Sequence, residues 1–376
     1  MSLLPTKRAL ETWVLGAWYD GAARTLAQRC LTAALAPLGW LVARVAQRRR
    51  QRAQVLATQL ANREAPAAGH LALGTTALPP VIVVGNLTVG GTGKTPVVAW
   101  LAAQLRAQGK RVGLVSRGYG RSAGTALRVA PGDSAALVGD EPAWLAATTG
   151  CPVAVGQDRV AALRLLAGDV DVVLADDGLQ HHALSRCLEM IVVDATRAEP
   201  LGNGRCLPAG PLRELPNFVG PAQVVLFNHG AAPAEQVATA AVPAWASTAT
   251  ALHFAVQPQV AVNLVSGESR PLADFTAAVA VAGIGHPERF FRALQAAGVG
   301  VRQRVPFTDH HAYTAANLAP FAGLPLLMTA KDAVKCAAFA APNWWRVEAT
   351  LEFAPGEGER LLQVVLATLG TLEVRS

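Results

Sequence analysis

Cysteine is sparse in this chain and follows no pattern. Cys30, Cys151, Cys187, Cys206 and Cys336 show no C-x-x-C spacing; neither a disulfide framework nor a zinc site is indicated, and a reducing cytosolic setting is the default. Charge is scarce as well: 16% of residues are charged against 52% hydrophobic, which excludes a disordered chain and leaves room for membrane contact. The apolar run from Cys30 to Ala43 is interrupted by Pro37 and falls short of the ~20 residues a bilayer crossing needs. No N-K-x-D string marks a guanine site, no early lysine in the Gly-rich loop marks a partition-type ATPase, and no internal repeat is evident. At 376 residues the chain can bury one large domain or two smaller ones.

The net charge of +7 is local. Residues 1–53 hold nine basic residues against two acidic ones, which leaves 24 against 24 in residues 54–376. A nucleic-acid-binding body would carry its basic residues over its folded surface, so no nucleic acid is expected as a partner. The N-terminus instead joins the apolar run to "QRRRQR", with Trp13, Trp18, Tyr19 and Trp40 nearby. Aromatic rings suit the membrane interface, and each arginine near an anionic leaflet adds on the order of 1 kcal/mol. Residues 1–55 read as a basic amphipathic helical segment lying on a membrane, with a helix packed on the body as the plain alternative. The apolar part starts late and its charges follow it, unlike a cleaved signal peptide.

From residue 80 the chain alternates short apolar runs with helical patterns. Runs at 81–85, 111–116, 152–156, 170–177, 189–195 and 222–228 are β-branched and continuous, as buried parallel strands require. With amphipathic stretches such as "TPVVAWLAAQLRAQG" between them, they predict an α/β fold with a doubly wound, mostly parallel sheet. Near residue 250 the rhythm changes. Residues 251–272 read as a two-stranded linker between a core at 56–250 and a second, smaller α/β lobe at 273–376, with a cleft between the two.

The stretch "VIVVGNLTVGGTGKTP" departs from the strict phosphate-loop pattern, because Thr88 stands where a first glycine is expected. Its context outweighs the departure. Thr88, Val89, Gly90, Gly91, Thr92 and Gly93 lie between a buried strand and a helix, and glycines there let backbone N–H groups turn toward an anion. Lys94 is placed to reach the β- and γ-phosphates of ATP, and Thr95 to hold Mg²⁺. "VDVVLADDGLQHH" ends a strand in Asp176 and Asp177 at the sheet edge where such folds bind ligands, which suits metal organisation; a helix cap or turn is the alternative. Gln180 and His181 follow as candidate substrate contacts, and His182 as a structural histidine. "VGDEPAW" places Asp140 and Glu141 in a loop or first helical turn, where Asp140 reads as a helix cap. "PFTDHHAYT" offers Asp309, His310 and His311, again ordinary as a cap.

Taken in order, "GNLTVGGTGKTPVV", "SRGYGR", "GDEP", "DDGLQHH", "GNGRCLPAGPLRE", "AGIGHPERFF", "DHH" and "MTAKDAVKC" resemble the tetraacyldisaccharide 4'-kinase family, the lipid A 4'-kinases of Gram-negative bacteria. The resemblance runs from about residue 80 to 345. It implies transfer of the ATP γ-phosphate to the 4'-hydroxyl of a tetraacylated glucosamine disaccharide 1-phosphate, with Mg²⁺, at the cytoplasmic face of the inner membrane; a monomer is expected. It also implies that Asp140 is the base in place of a cap, assisted by a second-lobe histidine, with His310 preferred and His311 left open. Arg159, Arg213 and Glu214 resemble further family positions near the site, with phosphate or substrate contact as their role and surface pairing as the alternative; Glu141 and Gln180 join them as candidate substrate residues.

Overall fold

The computed structural model describes residues 7–63, 78–119, 121, 124–237 and 241–373. The connection expected between the N-terminal helices and the first strand lies at 64–77, outside the described residues. Three helices open the chain: α1 (Lys7–Tyr19), α2 (Leu26–Ala34) and α3 (Ala36–Arg63). The core follows as β1 (Val81–Gly85), α4 (Lys94–Ala107), β2 (Val112–Ser116), β3 (Leu127–Arg128), α5 (Ala135–Val138), α6 (Asp140–Thr149), β4 (Val153–Val155), α7 (Arg159–Arg164), β5 (Val172–Asp176), β6 (Leu188–Asp194), β7 (Gln223–Asn228) and α8 (Ala234–Val237). A long β8 (Thr250–Asn263) and a short β9 (Ser269–Pro271) lead to the second lobe. That lobe contains β10 (Ala278–Ala282), α9 (Pro287–Ala296), β11 (Val301–Pro306), α10 (Ala315–Leu318), β12 (Leu326–Thr329), α11 (Ala330–Cys336), β13 (Trp344–Phe353) and α12 (Glu357–Glu373).

The sheet is the doubly wound, mostly parallel one that the apolar runs predict. Its order among the described residues is β11-β10-β12-β13-β8-β7-β6-β1-β5-β2-β4-β3, with β9 beside β8. Alternation within β1 separates two cores. Ile82 and Val84 face one layer with Val97, Val98, Leu101 and Leu105 of α4 and Leu361 and Val365 of α12; Val81 and Val83 face the other with Leu163 of α7. Both faces of each central strand are therefore apolar, as side-chain alternation across a covered parallel sheet demands. Burying a Val, Leu or Ile side chain is worth roughly 1.5–3 kcal/mol, and β1, β2 and β5 are buried at every residue.

The predicted linker is more than a spacer. The first part of β8 pairs parallel with β7 (Val224 with Thr250 to Asn228 with Phe254), and the strand then pairs antiparallel with β13 over most of its length. Its pairing with β9 covers only Val260 to Val262. Because β12, β10 and β11 run parallel to β13, the second lobe's strands point back toward the core. The C-terminal edges of the two lobes thus confront each other.

The N-terminal helices are set by local chemistry. Thr25 and Gln28 cap α2 reciprocally: Thr25 N–H donates to Gln28 Oε1 at 2.8 Å, and Gln28 N–H to Thr25 Oγ1 at 3.3 Å. Pro37 stands in the first turn of α3, where its missing N–H costs nothing, and the chain bends by 47° between α2 and α3. No single described helix is long and apolar enough to cross a membrane. Leu26, Leu38, Trp40 and Leu41 are all more than half exposed, and Arg44, Arg48, Arg49 and Arg52 are exposed with them. Arg50, in the same basic run, is buried instead. Helical spacing puts it with Ala43 and Gln47 on the inner side of α3, facing the 214–218 loop. Its guanidinium lies 3.0 Å from Glu189, 3.2 Å from Glu214 and 3.5 Å from the centre of the Phe218 ring.

Taking one partner from a buried ion network leaves uncompensated charge. Arg50→Met is expected to lower the unfolding free energy in urea by roughly 3 kcal/mol, and Arg48→Met, at an exposed neighbour, by less than about 0.5 kcal/mol. Equal, small effects would mean that the Arg50 cluster does not hold α3 to the core.

Candidate active site

The loop between β1 and α4 is shaped by glycine and by two buried amides. Gly90 and Gly93 have φ of 106° and 95°, a region that side chains disfavour. Asn86 donates through Nδ2 to Thr88 O at 2.7 Å, and Asn228, at the C-terminal end of β7, donates to Thr92 O at 2.8 Å. Gly93 occupies the cap position of α4 without a side chain, and a Cβ there would collide with Asn228 Nδ2. The result is a fixed loop whose backbone N–H groups gather at a helix N-terminus, the arrangement that binds phosphate.

Around it stand four carboxylates and three lysines. Lys94 Nζ is 3.5 Å from Asp177, which takes two contacts from Arg213 Nη1, at 2.9 and 3.0 Å. The Thr95 hydroxyl lies 3.3 Å from Asp176 and 3.4 Å from Glu141. Burial pushes the Asp176 carboxyl up to about 7, with Glu141 adding to the rise and Lys94 and Lys331 opposing it. Lys331 holds Glu141 well below the usual carboxylate range across 2.6 Å, against the effect of burial. Thr95 and Asp176 form an oxygen donor set suited to a hard cation, and Asp176 Oδ1 is buried with no hydrogen-bond partner. Among the described residues no three His, Cys, Asp or Glu side chains converge into a closed metal cage.

Asp140 does not cap α6. It is the first helical residue, and Gly139 precedes it with φ of 97°, so tightly against Gly118 that a Cβ would come within 2.9 Å of Gly118 Cα. From that position its Oδ2 meets His310 Nδ1 at 3.1 Å and Lys335 Nζ at 3.2 Å. Burial alone would raise the Asp140 pKa, but the contacts with His310 and Lys335 outweigh it and bring it below the ordinary value. The same contact raises His310 above the ordinary imidazole value, against partial burial. His310 has φ of 56°, and its ring lies 4.8 Å from that of Tyr119. His311 is elsewhere: its ring centre lies 4.5 Å from that of Phe307 in a tilted contact, with Nε2 3.3 Å from Asn317 Oδ1.

The remaining candidates divide. Gln180 lies between the loop and the N-terminal helices, donating to Asn86 O at 3.1 Å and to Glu214 at 2.8 Å. Glu214 is buried and engaged by Arg50, so the structure brings it to α3 instead of to Asp140. Arg159 is buried under the Asp177 loop, donating to Gly156 O at 3.2 Å and Asp177 O at 3.5 Å. Burial, with Arg50 next, pushes His182 down to about 4, as a neutral structural histidine would show.

Lys331 and Lys335 were not singled out from the sequence. The signal was present in "MTAKDAVKC": two lysines one helical turn apart, directly after an apolar strand, present one face toward consecutive acids. A second group escaped as well. On the other side of the loop Arg289 Nη2 reaches Asp194 at 2.7 Å, and Arg197 Nη2 lies 2.9 Å from His286 Nε2. His286 and Arg289 belong to "GHPERFF", whose residues have no chemistry to announce without the fold.

Residues 31–367 match the family model described as tetraacyldisaccharide-1-P 4'-kinase. A tetraacyldisaccharide 4'-kinase of Pseudomonas aeruginosa (strain LESB58) is 44% identical over 88% of this chain and 90% of its own length. One from Alkalilimnicola ehrlichii is 48% identical over 79% and 85%. A crystal structure of LpxK from Aquifex aeolicus in complex with ATP superposes with a TM-score of 0.67 at 25% identity, covering 90% of this chain and 99% of that one.

Any side chain at position 93 must adopt a disfavoured backbone and displace Asn228. Ala at a left-handed φ costs roughly 1–2 kcal/mol, so Gly93→Ala should weaken ATP binding about tenfold or more by calorimetry. Affinity within twofold of the parent would contradict the loop geometry.

Proposed function

The chain belongs to the tetraacyldisaccharide 4'-kinase family, and on that premise we propose that it transfers the γ-phosphate of ATP to the 4'-hydroxyl of a tetraacylated glucosamine disaccharide 1-phosphate, a lipid A precursor. The observation that carries this reading is the contact between Asp140 of the core and His310 of the second lobe, one residue from Glu141, which touches Thr95 in the first turn of α4. A kinase needs an acceptor-orienting acid beside its phosphate loop, and this cleft supplies one.

In this mechanism the backbone N–H groups from Gly90 to Gly93, with Lys94, bind the β- and γ-phosphates and stabilise charge that builds on the transferring group, while the Val89 N–H donates to Pro211 O at 2.9 Å and steadies the start of the loop. Thr95 and Asp176, with Asp177 beside them, would hold Mg²⁺, which neutralises phosphate charge when bound. His310 and Lys335 both engage Asp140 Oδ2, which leaves Oδ1 for the acceptor hydroxyl. The O–H bond breaks toward Asp140 as the oxygen bonds to the γ-phosphorus and the bond to the β–γ bridging oxygen breaks, releasing ADP. A carboxylate is too weak to ionise the alcohol beforehand, so it aligns the hydroxyl and takes the proton late; such help is worth ~10² to 10⁴ in rate.

Residues 56–250 act as the kinase core, 251–272 as the joint and 273–376 as the closing lobe. A substrate with four acyl chains stays in its leaflet, so residues 1–55 serve as a peripheral or monotopic interface segment at the cytoplasmic face of the inner membrane, and a monomer suffices. The exposed Leu26, Leu38, Trp40 and Leu41 beside exposed arginines support this reading.

With Mg-ATP and the lipid disaccharide in detergent micelles, the protein should form the 4'-phosphorylated product; folded, ATP-binding protein without product would sink the assignment. Leu38→Gln/Trp40→Gln/Leu41→Gln should cut flotation with anionic liposomes severalfold while leaving ATP affinity intact. Undiminished flotation would remove the membrane role of α3.

A further inference from the structure

Lys335 stands on α11 of the second lobe with only 8% of its side chain exposed. It is held from one side. Nζ lies 3.0 Å from Oδ1 of Asp332, a fully buried carboxylate whose Oδ2 accepts the Gly283 N–H at 3.0 Å and the Thr329 hydroxyl at 2.7 Å. The ring of Tyr313 faces the ammonium at 5.1 Å. Asp332 is thus pinned to the ends of β10 and β12, and Lys335 is pinned to Asp332. The other side of the ammonium crosses the cleft to Asp140 Oδ2 at 3.2 Å.

The pair Lys335–Asp332 is complete within the second lobe and needs no third partner for charge balance. A buried ion pair is in any case a weak source of net stability. What the third contact adds is geometry: Asp140 is gripped at a single oxygen by two donors of the opposite lobe, His310 and Lys335, at nearly equal distances. Two donors on one oxygen fix both the position of the carboxylate and the rotation about its Cβ–Cγ bond. The freedom lost is the freedom that would let the base miss the hydroxyl, and small misplacements at a reacting centre can cost 10²-fold.

We infer that Lys335 is a positioning residue for phosphoryl transfer: anchored by Asp332, it turns Oδ1 of Asp140 toward the acceptor hydroxyl, and does so only when the second lobe is seated on the core. The inference rests on Asp140 acting as the base. It assigns Lys335 no contact with either substrate and no proton of its own to give.

The test is a double-mutant cycle in the micelle assay, using Lys335→Met, Asp140→Asn and their combination, with Asp332→Asn/Lys335→Met as a fold control. Lys335→Met should lower kcat about 100-fold with the KM for ATP nearly unchanged. In the Asp140→Asn background the same substitution should cause no further loss, because its only route to the chemistry is Asp140. Asp332→Asn/Lys335→Met removes the unpaired buried carboxylate; it should regain melting temperature lost in Lys335→Met without regaining kcat. Near-parental kcat in Lys335→Met with an inactive Asp140→Asn would overturn this inference alone. Full activity in Asp140→Asn would overturn the base assignment and this inference with it. Multiplying losses in the combined variant, or kcat recovered together with stability in the control, would reduce Lys335 to an independent or a packing role.

Discussion

Strand β8 pairs with the core as far as Phe254 and then carries β13 on its antiparallel side, and the site depends on that change of partner. Open α/β sheets bind ligands at the C-terminal edge of their strands. A second lobe continued in the same direction would present its C-terminal edge to solvent, far from the phosphate loop. Reversal at β13 turns it around, so Thr329 at the end of β12 leads Lys331 and Lys335 into the core's edge, and the segment after β11 brings His310 there. Asp140 lies on the core, and both of its side-chain partners, His310 and Lys335, come from the second lobe.

Electrostatics explains why that meeting is tight. Asp140, Glu141, Asp176 and Asp177 crowd one edge of the core, and like charges in a partly dry cleft repel. From the core itself Lys94, Arg213 and the buried Arg159 answer Asp177. The second lobe brings Lys331 to Glu141 and Lys335 and His310 to Asp140, so charge balance and closure are one event. Asp176 keeps one buried oxygen without a hydrogen bond. On the opposite side of the loop Arg289 reaches across to Asp194, so the second lobe grips the core on both flanks of the phosphate site.

Much of this was legible in the residues. Continuous β-branched runs located β1, β2, β4, β5, β6 and β7 to within a residue or two at most ends, because buried parallel strands have little choice of composition. The loop was readable despite Thr88, since strand, glycines, lysine and helix occur in order. What could not be read was pairing at long range. Asp140 looks like a cap because its partners lie some 170 residues away, and Lys335 looks like a solvated helix charge. Arg50 hides in a basic run because only the packed face of α3 tells it from Arg48, Arg49 and Arg52. Adjacent histidines are indistinguishable in sequence; the left-handed backbone at His310 sends one ring to Asp140 and leaves the other against Phe307.

The central claim is that the two lobes build one acid–imidazole pair, and histidine titration by ¹⁵N NMR reads it directly. Pairing with Asp140 raises the folded-state pKa of His310, so the imidazole should stay protonated above the ordinary histidine range near 6.5. The stability it contributes is then fully present below that value and lost as pH rises through the raised one. In Asp140→Asn the His310 midpoint should fall back toward the ordinary value. A His310 midpoint that is ordinary in the parent, or unmoved by Asp140→Asn, would contradict the shared site.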